Sequence, residues 1–130
     1  FPFRKSESDY DLELPADSGD EELLAMVAKA LDIAKQFNPE LILFQAGVDG
    51  LATDALGKLN ISRQAMSKRN EMVFDLAVER LIPTLVFMGG GYSDPIGHTI
   101  DAFADLFLSA SRANNQFLSK IDSEVSDSIN

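Results

Sequence analysis

Leu41-Ile42-Leu43-Phe44-Gln45-Ala46-Gly47-Val48-Asp49 is the stretch that decides the fold class. Its first four residues are uniformly apolar and follow Asn38-Pro39, the pattern of a short parallel strand covered on both faces. Thr84-Leu85-Val86-Phe87-Met88 repeats the pattern, again behind a proline, Pro83. Between the two runs, Ser62 is placed to cap a helix reaching about Leu81, with Met66, Met72, Val73, Leu76 and Ala77 inward. A strand, a helix and a second strand make one crossover unit of a parallel sheet.

The flanks extend the alternation. Upstream, Ser18-Gly19-Asp20-Glu21 has the form of a capping box, with the Ser18 hydroxyl on the Glu21 amide. Leu23, Met26, Val27, Ala30, Leu31, Ala34 and Phe37 follow at helical spacing, and Asn38-Pro39 ends that helix. Residues 10–14 alternate weakly, Tyr10, Leu12 and Leu14 against Asp11 and Glu13, which predicts a short strand closed by Pro15. Downstream, Gly89-Gly90-Gly91-Tyr92 comes directly after the second apolar run. Asp94 and Pro95 then read as N-cap and first-turn proline of a helix with Ile96, Ile100, Phe103, Ala104, Phe107 and Leu108 inward. The order predicts an α/β fold, a three-layer αβα arrangement on a parallel sheet, partial at about three strands and three helices. From Asn114 the chain turns polar and serine-rich, which predicts a folded part over residues 1–113 and a frayed or disordered tail over 114–130.

Composition narrows the function classes. The 130 residues suit one small domain, and 45% hydrophobic content supports a core. No run approaches the roughly 18–20 apolar residues of a membrane span, so no membrane partner is expected. Phe1-Pro2-Phe3-Arg4-Lys5 is too short and too quickly acidic for a signal peptide, and without an initiating Met the chain looks cut or processed at its start. Cysteine is absent, which fits a reducing, cytoplasmic setting (nuclear if eukaryotic) and leaves no thiolate chemistry. A net charge of −10 argues against nucleic acid. Arg63, Lys68 and Arg69 come closest to a basic patch, and beside Glu71 they read as a solvated face. Partners are expected to be neutral or basic.

Ligands of parallel α/β sheets bind beyond the C-terminal ends of the strands, so Gly47-Val48-Asp49 and Gly89-Gly90-Gly91-Tyr92 should converge on one rim. Asp49 there is either a loop-ordering carboxylate or a metal ligand or acid–base group. The glycines serve either a tight turn with positive φ or the close approach of backbone to a ligand. A phosphate cradle is disfavoured, because Tyr92 and Asp94 stand where Lys and Ser/Thr would follow. Asp54 is expected to order the loop through backbone amides, and His98 to be an exposed surface residue.

Phe44-Gln45-Ala46-Gly47-Val48-Asp49, then Asp54-Ala55-Leu56-Gly57-Lys58-Leu59-Asn60-Ile61-Ser62 and Lys68-Arg69-Asn70, resemble the second metal-ligand segment of the histone deacetylase superfamily. Gly89-Gly90-Gly91-Tyr92 resembles its glycine-tyrosine segment. Phe1-Pro2-Phe3-Arg4-Lys5, Leu14-Pro15 and Ser18-Gly19-Asp20-Glu21-Glu22 resemble the stretch before the second metal-ligand segment. The likeness covers about residues 1–112. With Gly50-Leu51 after the aspartate, it is nearest the class IV type and its bacterial relatives.

The resemblance implies that Asp49 binds a catalytic zinc and that the Tyr92 hydroxyl hydrogen-bonds the scissile carbonyl. It implies too that Gly90 and Gly91 leave room for a narrow acyl-lysine tunnel and that Leu56 is an apolar wall position. The implied reaction is hydrolysis of an N-acetyl or N-acyl amide on a lysine peptide or another acylated amine. The family's other zinc ligands lie in an Asp-x-His segment and its general base in a histidine pair, and this sequence has one histidine and no Asp-x-His. The 130-residue chain alone is therefore expected to be inactive and marginally stable, with the N-terminal part of the domain as a partner. The alternative is a non-catalytic acidic α/β module that binds through an open sheet edge.

Overall fold

The computed structural model describes residues 7–129. The resemblance carried by Phe1-Pro2-Phe3-Arg4-Lys5 lies outside those residues. Five elements follow in order: α1 (Asp20–Phe37), β1 (Ile42–Gln45), α2 (Arg63–Arg80), β2 (Thr84–Phe87) and α3 (Gly97–Ile129). The strands pair in parallel, Ile42 opposite Thr84 and Gln45 opposite Phe87. Residues 10–14, expected as a strand, form none. Leu12 and Leu14 are half-buried, Leu14 against the core, but no strand among the described residues pairs with this segment to form a ladder.

Helix ends follow local chemistry. Ser62 caps α2 by accepting the Ala65 amide at 3.1 Å, as expected. Asp20 takes both the amide and the hydroxyl of Ser62, at 2.7 and 2.6 Å, and so joins the starts of α1 and α2. The capping box of α1 falls one residue later than expected: Gly19 is the N-cap and its amide donates to Glu22 at 3.0 Å. The Ser18 hydroxyl is diverted to the Pro15 carbonyl at 2.8 Å. Asn38 ends α1 and Leu81 ends α2, each in the left-handed conformation.

Two of the expected helical faces are revised: in α1 Leu23 is buried but Phe37 is 78% exposed, and in α3 a different set of residues turns inward. α3 begins at Gly97 rather than behind Asp94, and of its expected inward stripe Phe103 packs against the core. Thr99, Ala102, Leu106 and Ser109 are buried, whereas Ile96, Ile100, Phe107 and Leu108 face outward. The helix also runs unbroken to Ile129, through the serine-rich stretch expected to fray. Lys120 donates to the Val78 and Glu79 carbonyls at 3.3 and 2.7 Å, tying this extension to the end of α2.

The core has two parts. One joins Leu23, Val48, Leu51, Ile61, Ala65, Met66 and Ala102; the other joins Ala46, Phe74 and Leu106 with the half-buried Phe44 and Val86. α2 and α3 thus cover one face of the strands. The opposite face stays open: Leu43 is 62% and Leu85 58% exposed, against an expectation of burial on both faces. The α/β class and parallel order stand, and within the described residues the chain supplies a two-stranded part of the sheet with one covering layer.

Candidate active site

Both loops leave the C-terminal ends of the strands and close on each other. The parallel ladder continues past β1, with the Ala46 amide on the Phe87 carbonyl at 2.9 Å and the Val48 amide on the Gly90 carbonyl at 2.6 Å. Farther out, the Ala55 amide donates to the Tyr92 carbonyl at 3.0 Å and the Asp94 amide to the Thr53 carbonyl at 3.1 Å. The expected convergence on one rim is a property of the fold.

Asp49 projects from this rim, exposed, and accepts no hydrogen bond among the described residues. Its carboxylate faces Gly90, where a Cβ would stand 2.7 Å from Oδ2; at Gly47 a Cβ would stand 3.0 Å from Oδ1. Gly57 is closed against the same residue, since a Cβ there would meet the Asp49 carbonyl oxygen at 1.8 Å. No described glycine has positive φ, so close approach is what selects glycine here, not turn geometry. At Gly91 a Cβ would meet Val48 Cγ2 at 2.6 Å, so packing with buried Val48 is one reason for its missing side chain.

Asp54 orders the rim, as expected of it. Its Oδ1 accepts the Leu56 and Gly57 amides at 2.9 and 2.7 Å, and its Oδ2 accepts the Tyr92 amide at 2.6 Å. Desolvation pushes this carboxyl up, but the three amide donors together outweigh it and hold the group below the ordinary aspartate range. One carboxylate thereby places Leu56, on one loop, and Tyr92, on the other. The side chains of both stand exposed, at 72% and 61%, and the Tyr92 hydroxyl makes no hydrogen bond among the described residues. His98 is exposed, as expected.

Arg69 departs from its expected place. It does not belong to a solvated basic face: its guanidinium lies over the Phe44 ring at 5.5 Å and donates to the Gly47 carbonyl at 2.7 Å. Burial pushes its pKa down to about 10, opposed by the charge of Asp49. The helical period held the signal, because Arg69 falls four residues after buried Ala65 and four before buried Val73.

The sequence profile of the histone deacetylase domain matches residues 4–106. The chain belongs to the histone deacetylase family. This deacetylase-family chain is 35% identical over 97 residues to an uncharacterized protein of Picosynechococcus sp., covering 74% of this chain and 32% of that protein. It is 38% identical over 85 residues to Histone deacetylase 2 of Arabidopsis thaliana, covering 65% of this chain and 22% of that protein. The chain thus spans a third or less of these relatives' length.

Solved structures agree on the deacetylase α/β fold. An HDAC homolog complexed with SAHA matches with a TM-score of 0.60 and 27% identity, over 82% of this chain and 30% of that one. An acetylpolyamine aminohydrolase from Burkholderia pseudomallei matches with a TM-score of 0.66 over 76% and 27% of the two chains; at 19% identity it speaks for the fold alone.

No group of three His, Cys, Asp or Glu side chains suited to a metal occurs among the described residues. The exposed, unbonded Asp49 carboxylate fits a single metal-ligand position and not a complete set.

Proposed function

We propose that this chain is the C-terminal part of a zinc-dependent deacetylase and supplies part of its active site, with Asp49 as one zinc ligand. The reading is carried by the juxtaposition of the Asp49 carboxylate with Gly90 at the C-terminal ends of paired parallel strands. A carboxylate oxygen suits zinc at about 2.0–2.2 Å, and a site with three protein ligands keeps a position open. The bound metal supplies Lewis acidity and lowers the pKa of a water molecule. The remaining ligands and the general base come from outside the described residues.

This chain's own groups then bind and orient. Gly90 leaves the carboxylate open on the side a Cβ would fill, and Leu56 and Gly91 border the approach. Tyr92, held through its amide by Asp54, directs its free hydroxyl at the carbonyl oxygen of an N-acyl amide and donates to it as negative charge develops. A single donor of this kind is worth about 3 kcal/mol in the transition state. The substrate class is an acylated lysine peptide or another acylated amine, which agrees with the chain's charge of −10. Class IV character is part of the same proposal.

The test is metal content and deacetylation of an acetyl-lysine peptide by the protein produced with its upstream reading frame. Asp49→Ala should lose zinc and activity together. Tyr92→Phe should keep zinc and lose activity by about a hundredfold or more. A folded longer product with neither zinc nor activity would sink the reading and leave a non-catalytic module.

A further inference from the structure

We propose that Arg69 is the positioning residue of the Asp49 site: it clamps the Gly47 carbonyl against α2 and so fixes the backbone from which the Asp49 carboxylate projects. The inference rests on the reading of Asp49 as a metal ligand and adds a residue to it.

Three contacts carry the clamp. Nη1 of Arg69 donates to the Gly47 carbonyl at 2.7 Å, and no backbone amide outside the helices and strands uses that oxygen. Nε and Nη2 both donate to Oδ1 of Asn70, at 3.1 and 2.9 Å, and Asn70 is 1% exposed. Cζ of the group lies 5.5 Å from the Phe44 ring centroid, and that ring meets Phe74 edge-on at a centroid distance of 6.0 Å. The guanidinium therefore bridges the end of β1, the loop after it and the middle of α2.

Val48 is fixed by its amide on Gly90 and by complete burial, but Asp49 is exposed and unbonded. A carboxylate that must meet a metal within a few tenths of an ångström needs its backbone set beforehand, and groups behind a ligand commonly change metal affinity by about 10–100-fold. Lysine cannot reproduce the arrangement. It offers one compact ammonium, whereas the contacts need a planar fork reaching two acceptors while lying over a ring.

The experiment compares Arg69→Met and Arg69→Lys by two independent readouts. In the 130-residue chain, amide hydrogen exchange is followed at Val48 and Leu51, which are bonded to Gly90 and Val48. In the longer product, zinc affinity is measured by competition with a chelator. Both variants should exchange at least about tenfold faster at Val48 and Leu51, with α2 amides such as Val73 and Ala77 unchanged. Both should bind zinc about tenfold more weakly. Arg69→Lys should recover the melting temperature without recovering affinity, a split that loss of packing alone would not give. Should Arg69→Met fail to fold, Arg69→Lys carries the comparison. Wild-type exchange at Val48 and Leu51 in Arg69→Lys, or zinc affinity within about twofold of wild type, overturns the clamp. If the unsubstituted product binds no zinc, the reading of Asp49 fails instead, and the exchange data still decide whether Arg69 fixes the loop.

Discussion

The Asp54 carboxylate and the Tyr92 amide meet at 2.6 Å across 38 residues of sequence, and this bond locks the two rim loops together. The same carboxylate holds Leu56 and Gly57, so one side chain sets the spacing of the whole rim.

Removing that group should loosen the rim. Asp54→Ala is expected to lower unfolding free energy by about 2 kcal/mol, since hydrogen bonds to a charged acceptor are worth about 1.5–3 kcal/mol each and this site is partly wet. Asp54→Asn keeps one carbonyl oxygen for Leu56 and Gly57 but turns an N–H toward the Tyr92 amide, and should fall between. Urea denaturation of the three proteins checks the order.

Acid should act through the same carboxylates. Asp20 is held low by the Ser62 hydroxyl and amide, and Asp105 by the Arg63 guanidinium; Asp54 is low for the reasons given above. A carboxyl lowered by folding stabilises fully above its unfolded value of about 3.9, and that contribution is lost as pH falls through the folded value. The urea midpoint should therefore drop below about pH 4. The drop should be shallower in the Asp20→Asn, Asp54→Asn, Asp105→Asn triple variant. Parallel curves for the two proteins would contradict it.

Glycines should differ sharply in tolerance. Gly57→Ala puts a Cβ 1.8 Å from the Asp49 carbonyl, a clash with backbone, and should cost about 3 kcal/mol or prevent folding. At Gly97 a Cβ meets nothing within 4 Å, so Gly97→Ala should leave stability unchanged or raise it by about 0.5 kcal/mol. Thermal melts of the pair are the measurement.

Leucines on the sheet and in α3 should also separate. Leu106, with 0% exposure, should cost about 3 kcal/mol when cut to Ala. Leu43→Ala, at a site 62% exposed, should cost less than about 1 kcal/mol despite lying in a strand. Equal losses would mean that the open sheet face is covered in solution.

The elements that the sequence predicted well are those whose cause is local. Ser62 caps the amide three residues away, Asn38 and Pro39 stop a helix, and the two apolar runs pair as strands. Asp49, Gly90, Gly91, Tyr92 and Leu56 were legible as candidates because their order along the chain follows the family's segments. Residues 10–14 failed because alternation reports one covered face, which Leu14 has, and cannot say whether a strand lies alongside to pair with. The inward face of α3 failed for a similar reason. Apolar residues lie on more than one side of α3, and which stripe turns inward depends on contacts with α2 and β2, where Leu106 packs with Phe74 and Val86.

By itself, the sequence determined the α/β class, the parallel pairing and the family, and it put Asp49 forward as the leading candidate. The class and the pairing follow from periodicity and caps, encoded within a few residues of each other, and the family and the candidate follow from the resemblance of segments in their order along the chain. Only the tertiary structure decided that Arg69 points into the site, that Asp54 bridges to Tyr92, and that glycine at 90 answers to the Asp49 carboxylate. Those relations join residues 22 to 41 positions apart. Their physical basis is proximity and desolvation created by folding, and neither is written in the spacing of the chain.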